Sequence, residues 1–239
     1  MKLNGMTLIT GRLTLKSGLH IGAGDTEMRI GGTDNPVAKH PHSNEPYIPG
    51  SSIKGKVRAL LELRSGLMRH TSGKPVGAKI LDQKDLTPEE KAQAEKILKL
   101  FGSSGADGEA AAAIGPSRAS FADCLLNQES RALARAGNLP LTEVKSENSI
   151  DRIRGVAENP RFTERVVSGL SFDFSITLKT MDADQQNDLR TFLLEGLKLL
   201  ELDALGGSGS RGYGRVQFVF DDQQTQLQFA SMTTLFKEA

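Results

Sequence analysis

The residues with the most chemical promise lie in PGSSIKGKVRALLELR at 49–64. Lys54 and Arg58 are four residues apart, so on a helix they share a face, flanking the apolar positions Ile53, Val57, Leu60 and Leu61. Ser51 or Ser52 is a natural N-cap, and Lys56 adds a further charge. A helix start also offers free N–H groups and the positive end of a dipole, which with two hydroxyls makes a ready phosphate site. A solvated basic face is the competing reading. Ahead of this helix, Asp34 lies in the glycine-flanked loop IGGTDNPV, where Asp-Asn-Pro by itself reads as a turn. Near the other end, GGSGSRGYG at 206–214 lets another backbone approach closely and leaves Arg211 available to a phosphate. A flexible helix-to-strand turn fits that spacing equally well.

Three further patterns resemble known sites and fail on one position each. GSSIKGKV at 50–57 has Gly50, Gly55 and Lys56 of a P-loop, but Val57 stands where a hydroxyl must hold Mg²⁺. GSGSRG at 207–212 has dinucleotide-loop spacing, yet it follows a helix and opens a strand, the reverse of what that loop requires. RGYGRVQF at 211–218 resembles the strand signature of RNA-recognition motifs, with Arg215 in place of a stacking aromatic. The histidines are His20, His40, His42 and His70. HPH at 40–42 has no second cluster to complete a metal site, so it reads as a solvated loop.

The elements that must position these residues are legible from periodicity. TLITGRLTLK at 7–16 sets Ile9, Leu13 and Leu15 against polar partners, a half-buried strand. Residues 18–50 read as loop. LTPEEKAQAEKILKLFG predicts a helix with Thr87 as cap, Pro88 at its first position, Glu90 closing a capping box and Gly102 ending it. The alanine- and glycine-rich 103–117 reads as a mobile loop, RASFAD at 118–123 as a short strand, and 124–168 as a polar, irregular insertion. LSFDFSITLK at 170–179 alternates almost without fault; a helix then carries Leu189, Phe192, Leu193, Leu197 and Leu200, and RVQFVF forms a last strand. The resulting order is β-α-β-β-α-β, so the expected fold class is α+β, ferredoxin-like, with no internal sequence repeat.

The chain has 239 residues, a net charge of +1 and one cysteine, Cys124, which excludes a disulfide framework and a cysteine-rich zinc site. That suits a reducing, cytoplasmic setting. The N-terminus turns polar too early for a signal peptide, and no apolar run is long enough to span a membrane. Near-neutrality argues against a generic nucleic-acid binder. The charge is segregated, however: from 51 to 74, Lys54, Lys56, Arg58, Arg64, Arg69 and Lys74 face one acid, Glu62. This suits a subunit that meets RNA on one face and protein on others.

Taken together, LHIGAGD at 19–25, GGTDNPVAK at 31–39, YIPGSSIKGKVRALLE at 47–62 and GGSGSRGYGRV at 206–216 resemble the repeated backbone subunit of the type III-A CRISPR effector, the Csm complex, within the RAMP superfamily. KSENSIDRIRGVAENPRFTERVVSGLSF at 145–172 resembles its thumb hairpin and the strand behind it; 65–117 is the least matched part. The resemblance implies a single RAMP domain over 1–239, an RNA-recognition core with elements near 6–17, 51–64, 118–123, 170–179, 185–203 and 213–220. It implies a lid insertion at about 65–117 and a thumb insertion at about 124–169.

It further implies copies stacked on a guide RNA, thumbs that displace nucleotides at regular intervals, and cleavage of complementary target RNA by Asp34. The partners would be guide and target RNA, further copies of the chain, and other Csm subunits including the large polymerase-like and small subunits. The expected RNA contacts are His20, Gly22, Gly24, Ser51, Ser52, Lys54, Gly55, Lys56, Arg58, Arg152, Gly207, Gly209 and Arg211. Asp34 would serve as general base or would hold a divalent ion, Mg²⁺ being the expected one. Two alternatives stand beside this. One is a non-catalytic RNA scaffold; the other is a guide-precursor nuclease using His20 as acid or base.

Overall fold

The computed structural model describes residues 1–24, 35–103, 107–182, 184 and 186–232. Its centre is a six-stranded antiparallel sheet in which β1 (Leu3–Leu15) lies between β7 (Ser171–Met181) and β8 (Val216–Phe220). The register of β1 on β7 runs through Ile9↔Ile176, Gly11↔Phe174 and Leu13↔Phe172, which puts the buried apolar positions of both strands on one face and leaves Met6 and Leu8 exposed on the other. α1 (Gly50–Arg64) and α5 (Gln186–Leu202) cover that face. They approach closely because position 196 is glycine: a Cβ there would sit 2.6 Å from Val57 Cγ1. Burial of side chains such as Phe172, Leu13, Val57 and Leu197 contributes roughly 1.5–3 kcal/mol each. The strand order β8-β1-β7, followed by β3 (Ala119–Phe121) and β4 (Cys124–Leu126), is that expected for β-α-β-β-α-β.

The strand expected at 118–123 is in fact two, β3 (Ala119–Phe121) and β4 (Cys124–Leu126), both paired with β7. β4 also pairs with the short β2 (Tyr47–Ile48). The chain leaves the ladder at Asp123, whose carboxylate accepts from the Gly50 N–H at 2.8 Å. Asp123 therefore meets the start of α1, and Pro49 occupies the cap position with no side-chain cap bond. The cap expected from Ser51 or Ser52 is displaced from outside the helix.

α2 (Pro88–Phe101) carries the anticipated capping box of Thr87 and Glu90. The mobile loop expected after it contains a short helix instead, α3 (Glu109–Ile114), and Asp107 accepts from the Ala78 N–H at 2.9 Å. The stretch expected to be irregular is regular as well. It holds β4, then α4 (Gln128–Ala136, capped by Asn127), then a hairpin of β5 (Thr142–Asp151) and β6 (Val156–Val166). α4 buries only Ser130 and the hairpin only Glu164 and Val166, so neither adds an apolar face to the core. A last helix, α6 (Gln223–Ser231), is capped by Asp222 and places Phe229 on Phe220, ring centroids 4.8 Å apart. Among the described residues, no helix is long and apolar enough to cross a membrane.

Candidate functional site

The predicted basic helix divides into an open half and a closed half. On the open half Ser51 and Gly55 are exposed one turn apart, and a Cβ built on Gly55 would meet nothing within 4 Å. Lys54, partly buried beside them, has no hydrogen-bond or ion-pair partner among the described residues. Burial first, then the charge of Arg58, hold its pKa below that of an ordinary lysine. A desolvated cation with a like-charged neighbour is a site that an incoming anion would relieve. Ser52 is partly buried, and Lys56 reaches the other way, to Asp203 at 2.7 Å.

Arg58 belongs to the closed half. Its Nε donates to Glu62 Oε1 at 2.8 Å, Nη1 to the Gly102 carbonyl at 3.1 Å and Nη2 to the Val76 carbonyl at 2.5 Å. Glu62, 5% exposed, also accepts from the Val76 N–H at 3.0 Å. The guanidinium is thus a strut that ties the 65–117 segment to α1, rather than a free cation beside Lys54.

A second group of predicted residues converges at the root of the hairpin. His20 Nδ1 lies 2.7 Å from the Glu164 carbonyl. A carbonyl can only accept, so Nδ1 carries the proton and Nε2 of the neutral ring is left as an acceptor. A Cβ on Gly22 would stand 3.7 Å from that Nε2, and the Gly207 N–H donates to the His20 carbonyl at 2.9 Å. Gly206, at φ +76°, makes the approach possible, since a Cβ there would lie 2.3 Å from the His20 oxygen. Gly209 opens a 3-10 turn ending at Arg211, whose Nη1 bonds Glu147 Oε2 at 2.6 Å. Arg152 stands apart, exposed in the turn joining β5 to β6.

Asp34, and with it the expected metal position, lies outside the described residues. Of the segments that flank it, Gly22 bridges to Val37 and Asn35 bridges to Thr163 on β6; Gly24 has φ +79°. The Ala23 N–H reaches the Pro36 carbonyl at 3.1 Å, and the Ala38 N–H reaches that of Ile21 at 2.8 Å. Glu164 joins both sides. Its carboxylate accepts from the Val37 N–H at 2.9 Å and from Lys39 Nζ at 2.6 Å, while its carbonyl holds His20. Burial pushes the Glu164 carboxyl up, but the bonds from Lys39, Val37 and Thr142 together outweigh it and hold the pKa below the usual range. Among the described residues no cluster of three or more His, Cys, Asp or Glu could hold a metal ion.

Glu164, Glu147 and Asp123 were not singled out by sequence reading. All three act through bonds to segments far away in the chain, and the polar run 143–165 announces no partner.

A sequence profile of the RAMP superfamily matches residues 12–217. Proteins named CRISPR system Cms endoribonuclease Csm3 match over nearly the whole length. That of Enterococcus italicus is 40% identical over 222 residues, 91% of each chain. That of Methanothermobacter thermautotrophicus is 38% identical, covering 88% of this chain and 82% of the other. Among solved structures, the Csm3–Csm4 subcomplex of a type III-A CRISPR-Cas interference complex superposes with a TM-score of 0.53 at 27% identity, over 91% of this chain and 77% of that one. Csm3 of Methanopyrus kandleri shares the fold, with a TM-score of 0.56 at 24% identity over 91% and 76%. The chain belongs to the RAMP superfamily and, within it, to the Csm3 family.

Proposed function

We propose that this chain is the backbone endoribonuclease of a type III-A CRISPR interference complex, which holds a guide RNA and cuts the RNA paired to it through Asp34. The observation that carries this reading is the near-full-length likeness to Csm3 endoribonucleases, 40% identical over 91% of both chains. Two features of the geometry support it. Lys54, without a hydrogen-bond or ion-pair partner among the described residues and beside the bare backbone of Gly55, suits a ribose-phosphate chain, and His20, Gly22 and Gly207 form a second polar, glycine-lined surface. Arg58 also supports the fold through Glu62, Gly102 and Val76, so Lys54 is the cation of this helix more available to a phosphate.

In the chemistry proposed, the 2′-OH of the target attacks the adjacent phosphorus and the 5′ oxygen leaves, giving a 2′,3′-cyclic phosphate and a 5′-OH. A regular A-form strand keeps attacking oxygen, phosphorus and leaving oxygen out of line, so one nucleotide must be displaced. The β5–β6 hairpin would serve as the wedge, with Ile153 97% exposed at its tip. Asp34 would take the 2′-OH proton or hold a divalent ion; such an ion, where present, supplies charge stabilisation at the phosphate. Further copies of the chain would continue the backbone, with a Csm4-type subunit, the large subunit and the small subunit beside them.

The test is the assembled complex, incubated with labelled complementary RNA and Mg²⁺. Evenly spaced products are expected. Asp34→Ala should cut at least about 100-fold more slowly while binding guide and target unchanged. Normal cutting by that variant would overturn the assignment, and an intact complex that yields no spaced products would leave a scaffold.

A further inference from the structure

The glycine loop and the hairpin are braced on each other by charges that the reading above does not use. Tyr213, wholly buried, has Lys145 Nζ 4.5 Å from its ring centroid and Arg165 Cζ at 4.9 Å, both from the hairpin. Arg165 in turn bonds Glu143 at 2.7 Å. Glu147 stands between these and the loop: Oε1 is 3.3 Å from Lys145 Nζ, and Oε2 accepts from Arg211 at 2.6 Å. The hairpin register shifts immediately beyond Glu147, an irregularity of the kind that re-aims a side chain. On the loop side, Arg211 ends a turn flanked by Ser208 at φ +59° and Gly212 at φ +85°, so its backbone is fixed as well.

We infer that Glu147 is a positioning residue for RNA binding: it holds one edge of the Arg211 guanidinium and presents the remaining N–H groups to an RNA phosphate. The inference rests on the RNA-binding reading above. Arg211 is 54% exposed and Glu147 17%, so an arriving phosphate meets the guanidinium before the carboxylate. Nε and Nη2 of Arg211 have no protein partner among the described residues. The carboxylate does not depend on Arg211 to be neutralised, because Lys145 already faces it. Three cations, Lys145, Arg165 and Arg211, stand against two carboxylates, Glu143 and Glu147, which leaves the cluster with a surplus positive charge. A guanidinium pre-set by a second-layer carboxylate loses less freedom on gripping phosphate than one on a free side chain.

The experiment is a double-mutant cycle on the full chain, read as affinity for a fluorescently labelled single-stranded RNA across a salt series. Arg211→Ala should weaken binding about 3–10-fold and lower the salt slope by about 0.7, the loss of one phosphate contact. Glu147→Gln keeps the side-chain shape and removes the charge that holds Arg211. It should weaken binding about 3-fold with Arg211 present and leave it within about 2-fold once R211A is in place. Thermal melts of each variant establish that the chain is folded. Tighter binding by Glu147→Gln would show a competitor for Arg211, and equal losses in both backgrounds would show a general structural role; either overturns the inference. If Lys54→Ala and Arg211→Ala both bind RNA like the parent chain, the RNA-binding reading itself has failed. If they lose affinity and Glu147→Gln does not, only the positioning role falls.

Discussion

The start of α1 and the glycine loop at 206–214 look alike on paper as phosphate sites, yet the fold equips them in opposite ways. At α1 the cation is left alone: Lys54 is partly desolvated, unpaired among the described residues, and flanked by the charge of Arg58. At the loop the cation is held: Arg211 is tied to Glu147, itself tied to Lys145. Within α1 the contrast sharpens over a single turn, for Arg58 has three protein acceptors and faces inward. What separates the three residues is how many acceptors distant segments bring to them. A lone cation suits a phosphate that slides along the helix face, a tethered one suits a fixed phosphate, and one with three protein acceptors has fewer N–H groups left to offer.

The largest expected effect comes from breaking the Arg58 strut. Arg58→Met leaves the buried Glu62 carboxylate without its cation and should cost about 3 kcal/mol of stability, read by denaturant unfolding. RNA affinity measured on the folded fraction should change little. A variant of parental stability that has lost RNA affinity would return Arg58 to the phosphate site.

Lys54→Ala should do the reverse. RNA affinity should fall about 3–10-fold with a shallower salt dependence. A lysine whose folded pKa lies below its unfolded value burdens the folded chain while charged, so its removal should leave the melting temperature unchanged or slightly raised. A lowered melting temperature with unchanged affinity would show that Lys54 serves the fold and not a ligand.

Gly55→Ala is the mildest change. Nothing stands where the methyl group would go, so the helix should gain about 0.5–1 kcal/mol in unfolding experiments. If the RNA backbone passes over this turn, affinity should drop about 2-fold from the lost close approach, small beside the loss of a phosphate contact. Parental affinity would place the RNA elsewhere along α1.

Much of the core was legible without coordinates. Alternation in 170–179 and the helical spacing of Leu189, Phe192, Leu193, Leu197 and Leu200 each reappear as buried faces. The capping box at Thr87 and Glu90 reappears bond for bond. These features are local, set by a residue and its neighbours within a turn or a pleat. α4 and the β5–β6 hairpin bury almost no apolar surface, and the hairpin was expected only from the family resemblance at 145–172. The candidate site was legible as a list of cations and glycines. That list did not show that Asp123 would take the Gly50 N–H, or that Glu164 would hold both His20 and the segment at Val37 and Lys39.

The sequence by itself determined the main core strands and helices, which of their faces is apolar, and which polar residues are present to do chemistry, because periodicity and capping act over a few residues. Only the tertiary structure decided which charges remain available. An ion pair such as Arg211 with Glu147, or a strut such as Arg58 to Gly102, joins residues 64 and 44 positions apart, and no local pattern encodes that meeting.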